Sequence, residues 1–418
     1  MSAYLANAIE QGQLVNDWLT PKRLGSMALL QQTSWPTRKT ESWKYTSVRS
    51  LEKKTFERGT TNDEHAFSSI AGLDAIELVF VNGVLQQLPE GLPAGLSIAS
   101  LENVPESTQV WAREQFNVAK PSQHLFGLVN DVLADNGVIV DVAEGVTIDT
   151  PIHLVNLVSE NNETQQRVIV RVGQNAKVTM IEHNTGSVES LVNHVAEYFV
   201  EESAELELYR FSFRTEKALT VSGAHVQLAK KAKLNATIVG FGSELSRMDL
   251  DVLHRGENAF AKINAIYLLA KGEHFDLHST IEHEIGHCVT DETVRGIVGE
   301  KATAVFNGRI HIHRDAQKTL AELNNKNLLL TDDAKINTKP ELEIYADDVR
   351  CAHGATVAEL DKSALYYMTS RGVSRDTALV MLNFGFINAL VDEMPNAVLA
   401  EWLRPILKER FVKMNAEL

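Results

Sequence analysis

Residues 168–180, VIVRVGQNAKVTM, carry the pattern that decides the fold, and the chain repeats it as AEYFVEESAELEL at 196–208 and AHVQLAKKAKLNA at 224–236. In each segment the ninth residue is an alanine, and the residues two and four positions beyond it are almost all apolar. Such alternation on both sides of a small residue predicts two β-strands joined by a tight turn, each strand with one buried face.

Alanines recur at this position through the middle of the chain, where they mark one unit after another. The first four are 28, 28 and 27 residues apart, and the fifth follows after 43 residues. They are Ala176, Ala204, Ala232, Ala259 and Ala302. A constant period of roughly 20–50 residues is typical of stacked units that share a continuous core. We therefore predict a parallel β-solenoid, with a β-sandwich as the alternative, although a sandwich requires no constant period.

Composition excludes several classes of protein. Hydrophobic residues make up 44% of the chain and charged residues 23%, which is ordinary for a globular protein. The net charge of −15 argues against a sequence-independent nucleic-acid binder, which needs a basic surface. No apolar run approaches the roughly 18–20 residues of a membrane span. The N-terminal residues lack the basic start of a secretory signal, so we expect a cytoplasmic protein that binds neither membrane nor nucleic acid.

The two cysteines, Cys288 and Cys351, limit any metal chemistry. They cannot form a disulfide framework. An iron–sulfur cluster usually takes four ligands, mostly thiolates. If the chain handles a cluster, it must share the ligands with a partner or hold the cluster briefly.

Helical spacing is predicted on both sides of the repeat. Residues 4–33 are predicted to be helical with a break at Pro21, and a further helix is predicted near 108–134. Ile76–Val81 followed by Asn82-Gly83 predicts a strand entering a hairpin. The basic and aromatic segment 35–48 is interpreted as a docking segment that lies over the core, with a single-stranded nucleic-acid patch as the alternative.

Histidines are concentrated in the repeat, where eight of the fourteen lie between His225 and His313. The segment His283-Glu284-Ile285-Gly286-His287 matches the H-E-x-x-H pattern of zinc proteases, which requires a helix. Its flanks alternate with period two, so we predict a strand and reject a zinc protease. His311 and His313 share one strand face, where they either bind a metal or satisfy each other and the backbone.

The exit from the repeat is the most informative stretch for function. If the strand continues past Ile344, Cys351 and His353 project from the same face, a soft thiolate beside an imidazole. The neighbouring Arg350 is expected to lower the pKa of the thiol. A buried cysteine that acts as a small hydrophobic residue is the alternative.

Four segments of the chain form an ordered set of motifs: PTRKTESWKYT at 36–46, AQKTLAELNNKNLLLTDDAK at 316–335, PELEIYADDVRCAHGAT at 340–356 and LDKSALYYMTSRGV at 360–373. Together they resemble the SufB/SufD family, core subunits of the Suf iron–sulfur cluster assembly complex. The resemblance implies a right-handed parallel β-helix, with an N-terminal mostly helical region at 1–136, a β-helix core at 137–358 and a C-terminal helical domain at 359–418.

Within the family, the chain is more similar to the SufD type than to the SufB type. SufB has a cysteine near the position of Asn325, and a His-Glu-Ala motif where this chain has His353-Gly354-Ala355. The resemblance implies a non-catalytic scaffold that pairs with a SufB-like paralogue and carries a SufC-type ABC ATPase on its C-terminal domain. His353, and less directly Cys351, would then contribute to a transient iron or iron–sulfur site at the partner interface, with no cofactor held stably.

The C-terminal residues predict three helices. Asp361 and Ser374 are predicted N-caps, Gly372 ends the first helix, and Pro405 is expected to kink or restart the third. The chain has no G-x-x-x-x-G-K-[ST] loop, so ATP is expected to be handled by a partner.

Two other functions stay open from the sequence. The nearer is a SufB-like scaffold homodimer. The more distant is a polysaccharide-active β-helix enzyme, for which Asp347-Asp348 is the one close acidic pair near the exit. Adjacent residues of a strand point opposite ways, which argues against that pair as an acid and base.

Overall fold

The computed structural model describes residues 2–53, 56–58, 67–186, 188–214 and 217–415. The N-terminal region has five α-helices in these ranges, α1 (Ala3–Gly12), α2 (Thr20–Gln32), α3 (Arg49–Lys53), α4 (Glu106–Gln115) and α5 (Leu125–Leu133), and a 3₁₀ helix at Glu41–Trp43. Its described strands are β1 (Glu57–Arg58), β2 (Ile76–Val81), β3 (Val84–Leu85) and β4 (Leu96–Ser100). The C-terminal helices are α6 (Lys362–Ser370), α7 (Arg375–Asp392) and α8 (Ala397–Asn415).

The middle of the chain forms a run of strands that alternate between two sheets. They are β5 (Asn136–Val142), β6 (Ile152–Val158), β7 (Asn162–Val172), β8 (Lys177–Gly186), β9 (Leu191–Val200), β10 (Glu205–Arg214), β11 (Leu219–Leu228), β12 (Lys233–Phe241), β13 (Leu245–His254), β14 (Phe260–Leu269), β15 (His274–His283), β16 (Val289–Val298), β17 (Thr303–Ile312), β18 (Leu320–Leu329), β19 (Lys335–Ile344) and β20 (Arg350–Glu359). Among β5–β20, the odd-numbered strands belong to sheet A and the even-numbered strands to sheet B.

Each strand of these sheets pairs in parallel with the strand two places along the chain. Ala224 of β11, for example, lies between Ala196 of β9 and Leu250 of β13. The described part of residues 136–359 therefore winds into a β-solenoid of about eight turns. This confirms the solenoid prediction, because consecutive strands lie in opposite sheets and not side by side as hairpins of a sandwich do.

The corners from sheet A to sheet B explain the repeating alanines. The residue before each alanine has left-handed backbone, with φ of 57° at Asn175, 58° at Ser203 and 58° at Lys231. The alanine that follows is buried, and its carbonyl accepts from the next turn, as in the 2.9 Å bond from the Glu205 amide to the Ala176 oxygen. A small side chain is required there because successive corners stack directly on one another.

Two irregularities of the repeat have structural causes. The corner before Ala259 runs from residue 255 to 259, one residue longer than the corner at 229–232, so the apolar residues upstream of Ala259 stand one position farther from it than in the other units. Ala302 lies at the opposite corner, from sheet B to sheet A, where Lys301 is left-handed (φ 59°). The fifth alanine is therefore not a member of the same column, and Cys288 takes the place after Ala259.

The solenoid interior is built from the alternating apolar residues. Val178, Met180, Leu206 and Leu208 are all 0–1% exposed and belong to one cluster that runs through the turns. Burying each such side chain contributes about 1.5–3 kcal/mol. The stacked turns thus share a continuous core, as the period predicts.

The two ends of the solenoid differ. At the N-terminal end β4 pairs antiparallel with β5, and β2 turns back into β3 through Asn82 and Gly83, both with positive φ. The predicted hairpin is confirmed. At the C-terminal end β19 and β20 are the last strands of their sheets among the described residues.

Helices cover the outer faces of both sheets. The N-terminal helices pack on sheet A, where a buried ion network fixes α5. In it Arg167 binds Asp131 of α5 at 2.9 Å and also pairs with Glu197, and Lys120 lies 3.2 Å from Asp131. Burial works to raise the pKa of Asp131, but Lys120 and Arg167 outweigh it and lower that pKa. The C-terminal helices pack on sheet B.

The segment 35–48 docks on sheet A, as one interpretation of the sequence held. Trp43 is buried, and the Arg247 guanidinium lies 3.9 Å from the centre of its ring. Arg247 also donates to the Ser42 carbonyl at 2.5 Å, and the Thr46 hydroxyl donates to Asp276 at 2.5 Å. The polar groups of the segment are thus used to attach it to the solenoid.

The helix boundaries need three corrections. Pro21 does not break a helix but stands in the first turn of α2, where its missing N–H costs nothing. The helix predicted near 108–134 is two helices, separated by left-handed Asn117. Pro405 lies inside one continuous helix, α8. The N-caps Asp361 and Ser374 are confirmed, each accepting backbone N–H groups of the first turn.

Candidate functional site

The open C-terminal end of the solenoid is the candidate site. The outer edges of β19 and β20 carry no further strand in the described part of the chain. Large apolar side chains are exposed there, with Ile344 42%, Tyr345 62% and Val357 44% exposed. An unpaired edge with exposed apolar residues is a place where another chain can add strands.

Cys351 and His353 lie on β20, at the positions predicted to share a face. Cys351 pairs with Ala321 and His353 with Leu323, both of which are buried in the solenoid core. Equivalent positions in a parallel, in-register sheet face the same way. The two side chains therefore take inward-facing positions of the last turn. His353 is nevertheless exposed and Cys351 half-buried, because no further turn covers them.

The electrostatics of the thiol differ from the sequence expectation. Burial raises the pKa of Cys351, with a smaller opposing effect from the backbone of Ala321. The expected lowering by Arg350 is wrong, since that residue is exposed and does not contribute to the shift. Among the described residues, no group of three potential metal ligands includes Cys351 or His353.

One turn further in, Asn325 lies beneath the middle of β20. It pairs with Ala355, is fully buried, and its side-chain oxygen accepts from Asn327 at 2.7 Å. The acidic pair Asp347-Asp348 lies in the turn between β19 and β20, where Asp348 forms an ion pair with Lys318. A carboxylate held by a lysine in an exposed turn does not have the environment of a glycosidase acid or base.

A second group of potential ligands lies on the outer face of sheet A. His311 and His313 approach the same carboxylate oxygen of Glu282, at 2.6 Å and 2.8 Å. Arg309 also binds Glu282 at 2.6 Å and joins it to Glu343. Burial works to raise the pKa of Glu282, but bonds with His313 and Arg309 outweigh it and lower that pKa. The guanidinium occupies one carboxylate oxygen, so the group is satisfied without a metal.

The H-E-x-x-H segment is not a zinc protease site. His283 is the last residue of strand β15 and points into the solenoid, whereas His287 lies in the following corner with left-handed backbone (φ 62°) and is exposed. The helix that would bring both imidazoles to one metal is absent from this described segment. The strand predicted from its period-two flanks is confirmed.

The sequence matches one protein family over most of its length. Residues 155–386, more than half of the chain, match the family described as SUF system FeS cluster assembly, SufBD core domain. Residues 6–154 match the SufBD protein N-terminal region. None of the helices that the structure describes combines the length and apolar character that a membrane span requires.

Several named proteins are similar to the chain. The iron–sulfur cluster assembly protein SufD of Escherichia coli is 28% identical over 90% of this chain and 89% of its own length. An iron–sulfur cluster assembly SufBD family protein of Synechocystis is 28% identical over 98% of this chain and 93% of its own. The SufB protein of Bacillus subtilis is 23% identical over 72% and 66% of the two chains.

Proposed function

The chain belongs to the SufBD family of iron–sulfur cluster assembly proteins, and we propose that it is a scaffold subunit that joins a SufB-like partner through the open end of its solenoid. The observation that carries the proposal is the contrast between the two ends. At the N-terminal end the short strands β3 and β4 pair antiparallel with β2 and β5. At the C-terminal end β19 and β20 expose ten-residue edges. Strands of a partner would extend both sheets there and cover Ile344, Tyr345 and Val357.

Such pairing would place His353 at the seam between the two subunits. A neutral imidazole is a good ligand for iron, and the exposed position on the last turn leaves it accessible to a partner. The chain has two cysteines and only Cys351 lies at this end, so most cluster thiolates must come from the partner. The iron or cluster assembled there is cargo, and His353 contributes one ligand to it while Cys351 supports the seam.

The exposed C-terminal helices suit a second partner, a SufC-type ABC ATPase. Helix α6 buries none of its residues, and Tyr366 and Tyr367 are 75% and 60% exposed. Tyrosine combines a large apolar ring with a polar tip and is enriched where proteins bind one another. Met381 of α7 is also exposed. ATP hydrolysis in this partner would supply the motion that the scaffold does not generate itself.

The same edges favour a second candidate, a SufB-like homodimer. Two copies could pair β20 with β20 about a twofold axis, which is the commonest closed arrangement of identical chains. Size-exclusion chromatography with light scattering, with and without a co-expressed SufB-like partner, separates the candidates. The heterodimer proposal expects the partner to displace any self-pairing, whereas a homodimer that persists with the partner present contradicts it.

The role of His353 is tested by co-expressing a His353→Ala variant with the SufB-like protein and the ATPase. We expect an intact complex with a several-fold lower yield of assembled cluster, measured by absorbance and by iron and sulfide content. His313→Ala is the control, since it removes a half-buried histidine that lies outside β19 and β20. Unchanged cluster yield from an intact His353→Ala complex would rule out the proposed ligand.

A further inference from the structure

Three potential metal ligands meet inside the solenoid, two turns before its open end. They are His254, the last residue of β13, His283, the last residue of β15, and Cys288, in the corner that follows. One ligand atom from each lies within 4.8 Å of the others, and all three residues are 0% exposed. The group is separate from Cys351 and His353.

Each member departs from an apolar pattern at its position. His254 pairs with Leu228, and His283 pairs with Ile312. Cys288 occupies the same corner position as Ala259 of the preceding turn, because each comes directly before one of the paired residues Phe260 and Val289. Neighbouring turns fold with leucine, isoleucine and alanine at these places, so packing alone does not require two histidines and a cysteine to converge.

The hydrogen bonds of the group are incomplete. Nε2 of His254 and Nε2 of His283 each lie 3.0 Å from the hydroxyl of Thr290. Nδ1 of both rings is buried and has no hydrogen-bond partner among the described residues. The Cys288 thiol lies 3.3 Å from the Gly256 carbonyl and 3.5 Å from the Gly286 carbonyl. Each ring therefore keeps one nitrogen with nothing to bind, which is rare for buried polar atoms.

We propose that His254, His283 and Cys288 form a buried site for a borderline or soft metal ion of the Zn²⁺ or Cu⁺ class. Imidazole and thiolate are the ligands these ions prefer, whereas Mg²⁺ and Ca²⁺ require oxygen ligands. Thr290 is placed to accept the remaining ring N–H of a ligating histidine.

Metal binding at this site releases one proton. The metal ion replaces the hydrogen of the Cys288 thiol, so the sulfur binds as thiolate and one proton passes to solvent. A bound ion would join two successive turns and satisfy the ring nitrogens. This site does not depend on the proposed scaffold function.

The test uses the full chain, because the site is buried and exchange with solvent is expected to be slow. The protein is unfolded, stripped with a chelator and refolded with Co²⁺ as a Zn²⁺ probe, with Zn²⁺, or with Cu⁺ under anaerobic reducing conditions. Metal content after gel filtration and the thiolate-to-Co²⁺ charge-transfer absorption are measured. We expect one tightly held ion per chain with a thiolate signature, and the arm with the tightest retention identifies the class of metal.

Matched variants locate the ion. Cys288→Ala introduces the alanine found at the neighbouring corner, and His254→Leu introduces the leucine of the preceding turn. Both variants are therefore expected to fold but to lose the bound ion and the charge-transfer absorption. Cys351→Ala and His313→Ala should keep both, which distinguishes the interior from the open end and from the Glu282 group. The proposal is overturned if the wild type retains no more metal than Cys288→Ala in any arm, or if the band survives in Cys288→Ala.

Discussion

His254 and His283 stack inside the solenoid, with ring centroids 4.3 Å apart and ring planes 7° from parallel. Two imidazolium ions at that distance would repel each other in a medium that solvates neither. Burial lowers the pKa of His283 to about 4, and it lowers that of His254 well below its usual value. Both rings are therefore neutral in the folded chain across the physiological pH range.

The pH dependence of stability follows from these shifts. Below pH 6.5 the unfolded chain protonates a histidine that the folded chain keeps neutral until about pH 4. The contribution of neutral His283 to the free energy of unfolding is therefore fully present above pH 6.5. It is lost as the pH falls, by up to about 1.4 kcal/mol per pH unit. Denaturant midpoints of wild type and His283→Ile, measured with chelator from pH 7 to 5, should fall less steeply in the variant. Equal slopes would contradict the buried, neutral state.

Gly296 is required by the ring of Tyr267 inside the solenoid. A Cβ at Gly296 would lie 2.0 Å from the Tyr267 ring and 2.4 Å from the side-chain oxygen of Asn327, which accepts from the Tyr267 hydroxyl. We expect Gly296→Ala to lower the free energy of unfolding by about 1–3 kcal/mol, because the ring must move and its hydrogen bond is disturbed. Gly354→Ala, where no atom lies within 4 Å, is the control and should leave the denaturation midpoint nearly unchanged.

Val357 tests the proposed partner-binding edge. Its side chain is exposed on β20, and we expect Val357→Asp to leave the isolated chain folded while weakening association with the SufB-like partner at least tenfold, about 1.4 kcal/mol. A carboxylate buried in the interface would have to give up its water without a partner charge. The dissociation constant is measured by titration calorimetry. Val110→Asp, an exposed valine on α4, is the control, and equal affinity of both variants would place the interface elsewhere.

The tyrosines of α6 test the binding of the ATPase. A Tyr366→Ser, Tyr367→Ser double variant should fold normally, since neither ring is buried, and should lose most of the ATPase that copurifies with the complex. Tyr45→Ser, an exposed tyrosine of the N-terminal region, should retain it. Stoichiometry is measured from the purified complex. Full retention in the double variant would show that α6 is not a contact.

Local patterns were sufficient to predict the solenoid and its corners. Ala176, Ala204 and Ala232 recur because a stacked corner admits a small residue, and that constraint leaves a period in the sequence. The prediction that Ala302 continues this series is wrong, because it lies at the other corner of the turn. Both corners require small residues, and alternation does not say which corner a residue occupies. The alternation likewise does not show that the corner before Ala259 is one residue longer than the others.

The interior histidines were missed for a related reason. His283 was considered with His287, four residues away, whereas its neighbour in the fold is His254, which follows from strand register and not from proximity in sequence. The signal that identifies the group of His254, His283 and Cys288 is that Cys288 takes the corner position of Ala259 one turn later. At the open end, Cys351 and His353 were correctly placed on one strand, but the burial that raises the thiol pKa depends on the preceding turn.

The unequal ends of the solenoid limit how large an assembly can grow. A rod with two identical sticky ends would add units without limit and form fibres, as cross-β stacks do. Here the short strands β3 and β4, each antiparallel to its neighbour, end the other terminus, so within the described residues the long parallel edges lie at one end. If a partner pairs with that end, as we propose, joining stops at a pair, and the assembly is a discrete particle and not a polymer.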